Sequence, residues 1–404
     1  MFRFPDTRLL GSALILAGTS IGAGMLVLPL VSSAIGFLPT VVVFSVVACF
    51  MFVCALLIYE ANLIVGKGSS MYVMAGVVFG RSGRQIATVA TLGLFYALLA
   101  AYLSGGGELV HHGFEALSGV DISLHWGVVI FALLTSVVVF YSTRAVDYVN
   151  RLLFLFMLIT FWGALTLLMP SVKNDFLTIK TTAYSSVLLA LPVIFTSFGY
   201  HGSVPSIILY QKDNTKGLPL AFFMGTALVL VVYIIWLIAS LGNLPVQSLM
   251  SLSHTGSSIS HLIASLSEAV SQRGNLDKLL ILFSDLALMT SVLGVALGVF
   301  DYLASVFHRK DTRWGRAQTI LFTFLPPVGF ALLYPHGFVI ALGYAAIALA
   351  VLAVLLPVAL VWVLRESKEK SSYRVSGGKP VLIACFAFGM VVISAQCFVI
   401  FNSP

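Results

Sequence analysis

Eleven apolar stretches, each close to the roughly 17 to 25 residues that carry a helix across about 30 Å of hydrocarbon, follow one another along this chain of 404 residues. They fall near 9–35, 38–65, 86–106, 125–141, 151–169, 185–210, 218–241, 277–306, 317–334, 337–364 and 380–401. With 59% hydrophobic and 9% charged side chains, against about half and about a quarter in soluble proteins, no single soluble core hides that much apolar surface. The sequence therefore predicts an all-α polytopic membrane protein, one transmembrane domain over 1–404. The basic Arg3 and Arg8 before the apolar Leu9 superficially resemble a secretory leader, but read better as the entry to the first span. All four cysteines (Cys49, Cys54, Cys385, Cys397) lie inside apolar runs, which supports inert packing rather than disulfides or a zinc site.

The formal charge of +7 is scattered through short connections without a dense patch, which argues against nucleic acid as a partner. With the N-terminus inside, 18 of the 22 Lys and Arg residues fall in connections on one side of the bilayer and 4 on the other. By the positive-inside rule the N-terminus is then cytoplasmic and the C-terminus external, periplasmic in a bacterial inner membrane. The longest external connection, about 243–276, carries Ile259, Leu262, Ile263, Leu266 and Val270 at helical spacing. It predicts a short helix that either caps the outer vestibule or lies in the membrane interface.

Two spans are interrupted. In the first, Gly18-Thr19-Ser20-Ile21-Gly22-Ala23-Gly24 precedes Pro29; in the sixth, Phe195-Thr196-Ser197-Phe198-Gly199-Tyr200-His201-Gly202 precedes Pro205. TSIG superposes on TSFG at an offset of 177 residues, and Gly36-Phe37-Leu38-Pro39 matches Gly217-Leu218-Pro219 at nearly the same offset. An odd number of spans per copy reverses the second copy, so the pattern predicts inverted repeats of five spans, about 9–169 and 185–364, plus an extra helix at 380–401. Glycine costs about 1 kcal/mol inside a helix, and bare backbone at membrane depth is tolerable only against protein, water or ligand. Half-helices starting near Gly22 and Gly199 aim amides at the midplane, where a carboxylate fits. Halves ending near Gly18 and Phe195 offer carbonyls to an ammonium group or small cation. The pair matches a zwitterion; the plainer alternative is that these small residues only let helices pack closely.

On AGTSIGAGMLVLPL (17–30), AAYLSGGGEL (100–109), PVIFTSFGYHGSVPSI (192–207), DLALMTSVLGVALGVFDYLA (285–304), FLPPVGFALLYPHGFVIALGYA (324–345) and YRVSGGKP (373–380), the chain resembles the hydroxy and aromatic amino acid permease family, within the amino acid/polyamine/organocation superfamily. The resemblance implies a leucine-transporter-like fold with helices 1 and 6 discontinuous. It also implies proton-driven import of an aromatic amino acid across the cytoplasmic membrane, with tyrosine favoured. It puts the carboxylate at the amides of Ser20, Ile21, Gly22, Ala23 and Gly24, and the amino group at carbonyls near Gly18, Phe195 and Ser197. It nominates Tyr96, Tyr102, Phe198 and Tyr200 for the side-chain pocket, each with packing as the alternative. His201, in the second break, either meets a substrate hydroxyl, titrates or is structural. No cofactor is implied.

The driving ion is less legible. Thr290-Ser291 in span 8 resembles the hydroxyl pair of a sodium site in sodium-coupled relatives. Span 5 lacks the lysine of some proton-coupled ones, so proton and sodium both stand. Asp285, about 9 Å along the helix from the middle of span 8, is the first candidate proton carrier, because buried acids are costly unless neutral or paired. Glu60 and Asp301 sit near span ends, where interfacial roles are the simpler reading. Glu108, His111, His112 and Glu115 cluster beyond span 3, where a solvated loop is simpler than a metal site. A channel would show a filter or charged rings, and a membrane enzyme a cluster of catalytic groups; neither is present. A sensor on the same fold is not separated by sequence, nor is tyrosine from tryptophan.

Overall fold

The computed structural model describes residues 7–178, 184–211, 215–245, 247–249, 259–270, 275–309, 312–367 and 372–402. The basic residues Arg3, Lys180, Lys212, Arg273, Lys310, Lys368 and Lys370 of the charge count, and 246, 250–258 and 271–274 of the long connection, lie outside them. The regular elements among the described residues are helices. Ten are long and apolar enough to span a bilayer, and a bent pair, Thr7–Ser20 with Ala23–Ser33 at 55°, makes an eleventh. Helices suit hydrocarbon because every backbone donor finds its acceptor within the segment.

In chain order these are α1 (Thr7–Ser20), α2 (Ala23–Leu26), α3 (Leu28–Ser33), α4 (Phe37–Val65), α5 (Met71–Ser118), α6 (Leu124–Tyr141), α7 (Thr143–Leu168), α8 (Asn174–Thr178), α9 (Tyr184–Ser197), α10 (Val204–Tyr210), α11 (Leu218–Leu241), α12 (Ile259–Ala269), α13 (Leu276–Val306), α14 (Arg313–Leu333), α15 (Phe338–Leu349), α16 (Leu356–Leu364) and α17 (Gly378–Asn402). A π-helical turn, Ala350–Leu355, joins α15 to α16.

Local chemistry sets the ends. The Ser70 hydroxyl caps α5 by accepting from the Val73 amide, and Thr312 caps α14 by accepting from Gly315. The carbonyls of Val139 and Phe140 at the end of α6 are met by Arg316 of α14, at 2.8 and 2.7 Å. The third span differs from expectation at both ends. Its helix is 48 residues long, bent at Gly80, whose φ of 63° is a left-handed conformation that glycine alone adopts without strain. It runs on to Ser118, so Glu108, His111, His112 and Glu115 stand on helix rather than in a loop.

The helices sort into two packed groups. α1, α4, α10 and α11 pack on one another; α5, α6, α7, α13 and α14 form the other group, α15 packs on α5 and α9, and α16 touches both α4 and α5. Outward side chains such as Leu133, Leu134 and Val137 of α6 and Leu325 and Leu333 of α14 are more than half exposed, the face a bilayer covers. α17 packs on α9, with Phe388 against Phe195 and stacked on Phe50. The four cysteines are free thiols.

Two expectations change. Glu60 is no interfacial acid: it is 1% exposed and takes a two-pronged ion pair from Arg365, at 2.7 and 2.8 Å, plus the Val375 amide at 2.8 Å. The connection helix α12 does not spread its apolar face on lipid, because Ile259, Leu262, Ile263 and Leu266 are buried against α13 and α5.

Candidate functional site at the two helix breaks

α1 continues to Ser20 and α9 to Ser197, each two residues beyond the carbonyl end read from the glycines. Ser20 and Ser197 are separated by the same 177 residues as the sequence match. At the first break the chain turns through an extended Gly22 (φ −177°) before α2 begins. At the second it unwinds through Phe198, Gly199 and Tyr200 into a short 3-10 turn, His201–Ser203.

The breaks touch. The Ser197 hydroxyl donates to the carbonyls of Gly24 (3.2 Å) and Val193 (3.0 Å). One residue of α11 reaches both half-helix ends: the Tyr233 hydroxyl donates to the Ser20 carbonyl at 2.8 Å and to the Ser197 carbonyl at 2.6 Å. The phenol is fully buried, with its ring edge-on to Phe198 and Phe44. On the amide side, Ala23 N–H donates to Ser291 Oγ of α13 at 2.9 Å. Gly22 lies so close to Ser291 that an added Cβ would sit 2.6 Å from that oxygen. Protein hydroxyls thus occupy both polar ends of the break: a donor faces the carbonyls and an acceptor faces an amide.

Access differs on the two sides. Beyond the break, away from the start of α1, Phe161 of α7, Trp236 of α11 and Phe283 of α13 meet in one buried cluster, with ring centroids 5.2 to 6.2 Å apart. The Trp236 indole N–H has no partner there among the described residues. Toward the side where α1 begins, Gly18 is half-buried and Thr19 exposed, and along α13 Gly294 and Asp301 are exposed below a half-buried Ser291. The aromatic cluster covers the break on one side, and on the other Gly294 and Asp301 leave that stretch of α13 uncovered.

The other expected residues divide. Tyr102 of α5 has its hydroxyl beside Ser291 and its ring beside Phe338, and Phe198 lies with Tyr233; both belong to the break. Ile21 is buried within it. The Phe195 ring faces Phe388 instead, and its carbonyl accepts from Phe198 N–H. Tyr200 bonds Thr226 of α11 at 2.7 Å, and His201, stacked on it, donates from Nε2 to the Met51 carbonyl of α4 at 2.9 Å. The His201 Nδ1 is buried and has no partner among the described residues. Tyr96 points away to the Phe322 carbonyl of α14 and lines a separate cavity of about 160 Å³ with Pro326, Pro327 and Tyr344. Of the hydroxyl pair, Ser291 meets the break while Thr290 turns to the Ala287 carbonyl and Met157 of α7. Asp285 is half-buried on α13. Glu108 is 3% exposed rather than solvated, and bonds His336 at 3.0 Å; that hydrogen bond raises the pKa of His336. Tyr233 was not singled out by sequence, because a tyrosine in an apolar run has no distinguishing pattern.

Apolar helices in two packed groups, with polar backbone exposed to one another at a buried double break, define a multi-pass membrane protein. The chain belongs to the tryptophan/tyrosine permease family, whose sequence pattern matches residues 6–396. It is 36% identical to tyrosine-specific transport system 1 of Haemophilus influenzae, over 96% of both chains. It is 37% identical to the tryptophan-specific transport protein of that organism, over 98% of this chain and 97% of the relative, and 34% identical to the one of Pseudomonas aeruginosa, over 95% and 92%. The family and these relatives are transport proteins rather than enzymes.

Proposed function

We propose that this protein imports an aromatic amino acid, tyrosine ahead of tryptophan, across the bacterial cytoplasmic membrane by proton symport, with its N-terminus cytoplasmic and its C-terminus periplasmic. The observation that carries the reading is the polarity of the double break: an amide at Ala23 and carbonyls at Ser20 and Ser197, 177 residues apart in sequence, face one buried place. In this reading they belong to a leucine-transporter-like pair of inverted five-span repeats. The substrate carboxylate takes the amides of 20–24 in place of the Ser291 hydroxyl. Its ammonium takes the carbonyls near Gly18, Phe195, Ser20 and Ser197, shared with Tyr233, and Tyr102 and Phe198 face its ring. Tyr200 and His201 act from behind the break, through α11 and α4. Rocking of the α1, α4, α10 and α11 group against the other opens the plugged side.

Proton coupling is favoured over sodium because Thr290 is turned to α7, so the hydroxyl pair of a sodium site is not assembled. Asp285 has no hydrogen-bond partner among the described residues, and an acid so placed inside a span is suited to carrying a proton. Asp285→Asn should abolish accumulation driven by a pH gradient while sparing exchange of labelled for unlabelled substrate; unchanged accumulation removes Asp285 from the mechanism. Uptake of labelled tyrosine into proteoliposomes, under an imposed pH gradient or a sodium gradient, tests the whole reading. Accumulation above equilibrium with the pH gradient alone is expected, and its absence for every aromatic amino acid refutes the proposal. Competition by tryptophan ranks the two substrates.

A further inference from the structure

The end of α5 carries titratable groups that the transport site does not use. His111 and Glu115 are four residues apart and share a helix face, and His112 is adjacent. One nitrogen of each imidazole and a Glu115 carboxylate oxygen all lie within 4.8 Å of one another. The rings of His111 and His112 are 4.7 Å apart. A third imidazole arrives from another element: α12 is packed on α5 by its buried apolar face, which sets the His261 ring 6.3 Å from that of His112. His111 also has the supporting contact typical of a metal ligand. Its Nδ1–H donates to the Ile122 carbonyl at 2.6 Å, which leaves the lone pair on Nε2. The side chains of His112, Glu115 and His261 make no hydrogen bond among the described residues.

We propose that His111, His112 and Glu115 of α5, with His261 of α12, form a binding site for a transition-metal ion of the zinc class. Three imidazoles and one carboxylate are a zinc-type donor set, whereas magnesium and calcium take oxygen ligands. Tetrahedral coordination at about 2.0–2.1 Å puts donor atoms about 3.3 Å apart. Side-chain rotations that draw the present cluster in by about 1.5 Å, with the His261 ring swung toward His112, complete the shell. Because the ligands come from two elements, the ion pins the α12 cap to the end of α5.

The test needs no transport measurement. Purified full-length protein is freed of metal with a chelator and titrated with zinc alone against a chromophoric competitor. One ion per chain is expected. Affinity should fall at least about tenfold in His112→Ala, in His261→Ala and in the isosteric Glu115→Gln, as loss of a ligand requires. Zinc should raise the melting temperature of the wild type, and His261→Ala should remove that rise. Melting without zinc shows that each variant is folded. Zinc affinity unchanged in a folded His111→Ala/His112→Ala double variant, or a zinc-dependent rise retained in His261→Ala, overturns the proposal.

Discussion

A hydroxyl that serves two helix ends at once must be held still, and Tyr233 is: its ring is buried edge-on to Phe44 and Phe198 while its oxygen sits 2.8 and 2.6 Å from the Ser20 and Ser197 carbonyls. Tyr233→Phe keeps the packing and leaves those acceptors without this donor, at a cost of about 1–3 kcal/mol. Thermal unfolding of the substrate-free variant should show that loss. If the substrate ammonium takes the same carbonyls, saturating tyrosine should stabilise the variant more than the wild type; equal stabilisation argues against the shared position. Gly22 is constrained from the other side. Gly22→Ala drives a methyl into Ser291 Oγ, 2.6 Å away, so uptake should drop at least about tenfold if the break moves by the amount that contact requires. Adding Ser291→Gly should restore part of it. Failure of the second substitution to help would place the defect elsewhere. The glycine was legible in sequence because its cost in a helix demands a reason; Tyr233 was not, since its meaning lies in two carbonyls from distant parts of the chain.

At the scale of elements, span positions followed from hydropathy, because about 20 apolar residues have few alternatives to a membrane helix. Ends did not follow. Hydropathy falls off before Glu108, yet α5 continues to Ser118, carrying Glu108 into a buried contact with His336. The half-helices also run two residues past the glycine-based estimate, since a helix persists until its backbone loses acceptors rather than stopping at the first glycine. The cover over the break comes from element packing as well: α7, α11 and α13 supply the Phe161, Trp236 and Phe283 cluster, while Gly294 is exposed with no atom within 4 Å of an added Cβ. Gly294→Cys, in a background lacking Cys49, Cys54, Cys385 and Cys397, should react with a charged thiol reagent supplied from the side where α1 begins. Labelling from the opposite side only, or none from either, would rule out access to the break from the side where α1 begins.

At the scale of the whole molecule, stretches of chain far apart in sequence are joined through charge buried in apolar surroundings. Glu60 on α4 and Arg365 after α16 pair at 2.7 Å, and the Val375 amide and carbonyl complete the set, so the segment around Val375 straps the end of α16 to α4. Breaking a buried pair by removing one partner costs about 3–5 kcal/mol, whereas replacing both is much milder. Arg365→Met should lower the melting temperature clearly, and Glu60→Gln/Arg365→Met should recover much of it; a single variant as stable as the wild type would show the strap to be dispensable. Sequence by itself determined the class, the positions of the apolar spans and the family, and marked the glycine-rich stretches where α1 gives way to α2 and α9 to α10, because length, hydropathy and glycine cost act locally. Tertiary structure alone decided which side chains meet there. Tyr233, Ser291 and the Arg365 strap act across separations of 36 to 305 residues, and such contacts depend on how helices turn against one another, which no local pattern encodes.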